Sequence, residues 1–113
     1  PLGDVVHQLA DQYYVLVTDD HGRMPSYGKV AVAAIVGNED GAHASSAQIF
    51  QALNDVGYTL PPVAACYWVG EAMGSTDFKD LDEVPEKVSK TADMVASNAA
   101  HVARLLHTIS FPG

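Results

Sequence analysis

Cysteine is almost missing from this sequence, basic residues are scarce, and no apolar run is long. Each shortage excludes something. The single Cys66 cannot form an intramolecular disulfide, so packing alone must hold the fold, and this usage fits a reducing compartment. The cytoplasm is therefore the expected location. Six Lys and Arg stand against fourteen Asp and Glu, giving a formal net charge of -8. Such a surface repels a phosphate backbone or an anionic bilayer, so neither nucleic acid nor membrane is expected as a partner. No segment approaches the roughly 20 apolar residues that span a bilayer. The N-terminus also lacks the basic start and apolar run of a signal peptide.

What is present is 113 residues, 48% of them hydrophobic, close to the commonest domain size, and residues 1–113 are read as a single domain. After Asp4, a good N-cap, the positions Val6, Leu9, Ala10, Tyr13 and Leu16 recur at helical spacing and predict a helix from about Val5 to Val17. Thr18 to Tyr27 have loop composition. Lys29 to Val36 then read as a strand covered on both faces, because Val30, Val32, Ile35 and Val36 alternate with alanine rather than with polar residues. Ala44, Ala47, Ile49, Phe50, Leu53 and Val56 predict a second helix, stopped by Gly57 and followed by Pro61-Pro62. Val63 to Val69 form a second apolar strand, and Gly70 to Leu81 a long loop. The stripe Val88, Ala92, Val95, Ala99, Val102, Leu106 and Ile109 marks the final helix.

Strands alternating with helices predict an α/β fold with a parallel sheet. In open sheets of this kind, ligands bind beyond the carboxyl ends of the strands. Two glycine-containing polar loops fall there, Gly37 to Ala42 and Gly70 to Gly74. Glycine permits close backbone approach, Asn38 offers an amide, and the first turn of the next helix presents free N–H groups. The same residue types also suit an ordinary turn and helix cap.

The stretches "SYGKVAVAAIVGNEDGAHASSAQIFQALNDVGYTLPP" and "YWVGEAMGSTDFKD", followed by "NAAHVARLL", closely resemble the carboxyl-terminal half of the flavodoxin-like NAD(P)H-dependent FMN reductase family. The resemblance runs from Gly3 to Leu106. It implies a flavodoxin-like parallel sheet with flanking helices, here a half-domain of helix, strand, helix, strand, helix. It implies FMN as cofactor and NAD(P)H as co-substrate. Gly37, Asn38, Glu39, Asp40, Gly41 and Ala42 would then form one wall of the flavin site, with Trp68, Gly70, Glu71 and Ala72 on the other. No catalytic nucleophile or acid–base pair is required, since the flavin carries the redox chemistry.

The family's Ser/Thr-rich loop for the FMN phosphate has no counterpart here, so FMN is expected to bind weakly or not at all to this chain alone, and enzymatic activity stays open. The alternative is a non-catalytic half-domain whose main property is self-association. Two apolar strands with open edges predict a homo-oligomer, a dimer first. A metal at Glu39 and Asp40 is a lesser alternative, as no further Asp or His stands at ligand spacing. Cys66 reads as a small strand hydrophobe, Trp68 as either a flavin-stacking or an edge-covering ring, and His43 as a first-turn residue near the loop.

Overall fold

A computed structural model of the chain describes residues 17–37, 41–70 and 76–113. Its elements are strand β1 (Ala33–Gly37), helix α1 (Ala42–Asp55), strand β2 (Ala65–Val69), a single 3-10 turn (Phe78–Asp80) and helix α2 (Glu86–Thr108). The helix expected from Val5 lies, up to residue 16, outside the described residues. β1 and β2 form a parallel two-stranded sheet, in register from Ala33 opposite Ala65 to Gly37 opposite Val69. The α/β class and the parallel pairing are as the sequence predicts.

The strands are shorter than the apolar runs that announce them. Val30 makes an isolated bridge to Thr59, and Ala31 N–H donates to Thr59 O at 3.0 Å. Regular pairing resumes only at Ala33, whose N–H donates to Ala64 O. Between these points lie Pro61 and Pro62, which have no N–H to give a ladder, and Val63 at φ 53, left-handed backbone that a β-branched residue rarely adopts. The prolines and this kink interrupt the pairing.

Helix α1 stops where Gly57 reaches φ 99. Gly57 N–H donates to Asn54 O and Tyr58 N–H to Leu53 O, both at 3.0 Å, which is the paired closure of a Schellman motif. The helix turns Ser46, Ala52 and Val56 inward. Ala44 and Ala47, expected inside, are exposed, and the buried Ser46 takes the space, its Oγ donating to His43 O at 2.9 Å. The hydroxyl is satisfied locally, so it can be buried.

Helix α2 follows Pro85, in extended backbone at its N-cap, and it packs on β2. Val95 is buried at the middle of the predicted stripe, while Ile109 falls past the helix end and is exposed. Asn98 Nδ2 donates to Pro62 O at 2.8 Å, tying α2 to the kink before β2.

The core is small: Ala33, Ala52, Val56, Ala64 and Val95 are its buried apolar residues among those described. The expectation that β1 is covered on both faces is corrected here. Val32 is 44% exposed and Val36 62% exposed. These residues alternate with buried Ala33 and half-buried Ile35, so one face of β1 is packed and the other faces outward.

Two loop features carry predictions. A Cβ at Gly57 would meet Ser26 Oγ and stand 2.9 Å from Tyr27 Cδ1, in addition to the left-handed φ. Ser26 is fully buried and its Oγ donates to Val56 O, so it cannot give way. Gly57→Ala is expected to destabilise by about 1–3 kcal/mol, read as a lowered thermal midpoint. Gly41→Ala, at φ -149 with nothing within 4 Å of a new Cβ, leaves that midpoint unchanged.

In the turn after residue 18, Asp19 Oδ1 accepts from the backbone N–H groups of Arg23 (2.9 Å) and His21 (2.8 Å), and Oδ2 accepts from Arg23 Nε at 2.9 Å. The Arg23 backbone N–H leads in holding the Asp19 carboxyl below its ordinary range, with His21 N–H and the Arg23 guanidinium adding to it. A depressed folded value means that the carboxylate's contribution is complete above the unfolded pKa and is lost as pH falls through the folded one. The turn is therefore expected to hold through the ordinary carboxylate range and to open only at more acidic pH. An NMR titration of the His21 and Arg23 amides checks this, with Asp19→Asn showing no such transition.

Candidate functional site

Parallel pairing brings the carboxyl ends of both strands to the same side of the sheet. Gly37 is the last residue of β1, and its carbonyl accepts from Gly70 N–H at 3.0 Å. One hydrogen bond thus joins the starting points of the two glycine loops. Gly41 is exposed and caps α1, which begins at Ala42. Free N–H groups of the first helical turn therefore stand at the end of β1. Asn38, Glu39 and Asp40 from the first predicted wall, and Glu71 and Ala72 from the second, lie outside the described residues.

Gly41 does not use the conformational freedom of glycine. Its φ is -149 and a Cβ there enters open space, so the position requires neither left-handed backbone nor close packing against the protein. Gly70 is tighter. A Cβ on it would stand 3.0 Å from Trp68 Cη2, so the missing side chain leaves room for the indole.

Trp68 is half-buried, one residue before the end of β2, and its ring packs against Phe78 with centroids 5.6 Å apart and planes inclined by 57°. Phe78 sits in the 3-10 turn, which Asp80 N–H closes by donating to Asp77 O at 3.0 Å. Val36, Gly37, Asp77, Phe78 and Lys79 line an open cleft of about 440 Å³ beyond the end of β1. That volume lies in the range of small-molecule sites. Among the described residues, the cleft has an apolar floor, a backbone margin and one residue of each charge. Sequence reasoning missed Asp77, Phe78 and Lys79, which it placed only within the long loop from Gly70 to Leu81. An aromatic residue soon after the WVGEA strand was the available signal.

His43 lies elsewhere. It is exposed on α1 and lines a groove of about 600 Å³ with Phe50, Tyr67, Trp68, Val88 and Thr91, so Trp68 borders this groove and meets the cleft only through its ring contact with Phe78. Cys66 is half-buried inside β2 and does not line the cleft. Among the described residues no three of His, Cys, Asp and Glu gather where a metal ion could be held. No helix among them is long and apolar enough to cross a membrane.

No protein-family model matches the chain. It is 35% identical over 88 residues to the 8-demethyl-8-aminoriboflavin-5'-phosphate synthase of Streptomyces davaonensis, an alignment covering 77% of this chain and 34% of that enzyme. It is 28% identical over 113 residues to the divalent metal cation transporter MntH of Mycobacterium bovis, covering 93% of this chain and 16% of the transporter. In structure, 96% of the chain superposes on 43% of RosB, solved with the intermediate 8-demethyl-8-formylriboflavin-5'-phosphate, at a TM-score of 0.81 and 28% identity. The chain thus spans about a third of the length of the first of these relatives. It shares its fold with part of a protein solved with a flavin phosphate derivative in place.

The ring contact at the cleft gives a direct test. Trp68 is the sole tryptophan in the sequence. Phe78→Ala uncovers it and is expected to shift its fluorescence emission to the red while far-UV circular dichroism stays unchanged, since Phe78 lies outside every α-helix and strand.

Proposed function

We propose that this chain forms the ring-side wall of a site for a riboflavin-5'-phosphate-type flavin, and that the site belongs to an NAD(P)H-dependent flavin oxidoreductase. The observation that carries the reading is the superposition of nearly the whole chain on RosB, whose structure holds a formylated flavin phosphate. The residues present suit such a group. A planar ring system needs a flat apolar neighbour and hydrogen-bonding atoms at its rim. The Trp68–Phe78 pair supplies the first, and the backbone at Gly37 and Gly41 the second.

When bound, the flavin supplies hydride chemistry, accepting from a reduced nicotinamide and passing electrons on. The protein's part is orientation and electrostatics. The proposed wall comprises Gly37, Asn38, Glu39, Asp40, Gly41 and Ala42 on one side and Trp68, Gly70, Glu71 and Ala72 on the other, with Phe78 and Lys79 added from the cleft. N–H groups at the start of α1 favour negative charge on the nearer edge of the ring. Lys79 is the one cation among the described cleft-lining residues, and the net charge of -8 opposes a dianionic phosphate. Binding of FMN to this chain alone is accordingly weak.

Titration with FMN, followed by Trp68 fluorescence, tests the reading. The expected result is saturable quenching with a dissociation constant of roughly 10–100 µM. Lys79→Glu weakens FMN about tenfold, equivalent to about 1.4 kcal/mol, and changes riboflavin, which has no phosphate, far less. An unchanged Trp68 signal at about 1 mM FMN, well above that range, would contradict the assignment.

A further inference from the structure

The groove of about 600 Å³ is larger than the cleft and plays no part in it. Its walls are consecutive in the chain: His43, Ser46 and Phe50 stand at helical spacing on α1, Lys87, Val88 and Thr91 on α2, and the apolar strand β2 runs between them. No described residue of β1 borders it, so it exists whatever pairs with the outer edge of β1. Both helices run against the strand direction. Helix α1 starts beyond the carboxyl end of β1, and Asn98, midway along α2, reaches back to Pro62 just before β2. The first turns of the two helices, which carry His43 and Lys87, therefore lie at the same end of the groove, and Phe50 and Val63 line it further along. Its hydroxyls are already engaged. Ser46 Oγ donates to His43 O at 2.9 Å, and Thr91 Oγ1 donates to Lys87 O at 2.8 Å. Lys90 is held by Glu86 at 2.7 Å, whereas Lys87 makes no ion pair among the described residues. No Asp or Glu stands among the described lining residues, in a chain with a net charge of -8.

We propose that this groove is a second small-molecule site, which takes a planar aromatic body carrying one carboxylate. Its volume lies in the range of such sites, and its lining is mainly apolar with a few polar groups gathered at one end. Phe50, Tyr67 and Trp68 offer rings against which a planar body packs. The Lys87 ammonium and the His43 ring donate to the acid head, a charge-assisted contact that no described carboxylate competes for. A cation would meet Lys87 with no acidic residue to balance it, and a neutral body would leave the ammonium unanswered. The site stands apart from the flavin reading, because the groove and the cleft share no lining residue and communicate only where Trp68 touches Phe78.

Titration of the full chain with 2-naphthoate, followed by amide chemical shifts, tests the proposal. Saturable shifts are expected at His43, Phe50, Val88 and Thr91, with a dissociation constant of roughly 0.1–1 mM for a ligand of this size. The alcohol 2-naphthylmethanol, which has the same body and no charge, is expected to bind about fivefold more weakly. Lys87→Gln weakens naphthoate about three- to fivefold and leaves the alcohol unchanged. Lys90→Gln has the same net charge but lies outside the groove, and it changes neither affinity. FMN at about 0.5 mM leaves the naphthoate shifts in place. The proposal is overturned by an absence of saturable shifts at His43 and Thr91 up to about 5 mM naphthoate, well above the expected range. Equal affinity for the acid and the alcohol, equal losses in Lys87→Gln and Lys90→Gln, or displacement of naphthoate by FMN also overturns it. Failure of the flavin reading shows separately, as FMN shifts missing from Gly37, Phe78 and Lys79.

Discussion

The parallel ladder between β1 and β2 is the constraint on which the other features depend. Its register, from Ala33 beside Ala65 to Gly37 beside Val69, brings Gly37 and Gly70 to the same height, and the Gly70 N–H bond to the Gly37 carbonyl closes the ladder. Every candidate ligand-facing group takes its position from that closure. The start of α1 follows Gly37 by a few residues, Trp68 precedes Gly70 by two, and the 3-10 turn returns Phe78 to the indole. A slip of one residue in β2 would turn Trp68 to the opposite face and remove it from Phe78. Pro61, Pro62 and the left-handed Val63 interrupt pairing just before β2, and the Asn98 bond to Pro62 fastens that interruption to α2.

Much of this architecture is legible in the sequence because its signals are local. The apolar runs around Ile35 and Tyr67, Gly57 after a helical stripe, and the four-and-three stepping through Val95 each report an element and its boundary through short-range sterics. Less legible was which residues are covered. Ala44 and Ala47 look like core and are exposed, while Ser46 is buried because a local acceptor satisfies its hydroxyl. Val36 looks like the interior of a doubly covered strand and is mostly exposed, because cover depends on neighbours that no window around β1 encodes. The site divides in the same way. Gly37 and Gly70 were visible as strand-end glycines, but Phe78 and Lys79 join the cleft only through the return of the loop, a tertiary event.

The size of the fold sets how far its function can be complete. The chain corresponds to 34% of one flavin-named relative and 43% of the RosB chain, and its described core holds few fully buried apolar residues. Val36 belongs both to the exposed row of β1 and to the lining of the cleft.

The central claim is that flavin is held beyond the carboxyl ends of β1 and β2. Amide chemical-shift mapping of the full chain with FMN tests it most directly. The account predicts saturable shifts at Gly37, Gly41, Gly70, Phe78 and Lys79 and on the Trp68 indole N–H, with little change at the opposite end of the sheet around Tyr27, Gly57 and Thr59. Shifts centred on Tyr27 and Thr59, or on His43, Phe50 and Thr91 with none at Gly37, Phe78 and Lys79, would contradict it.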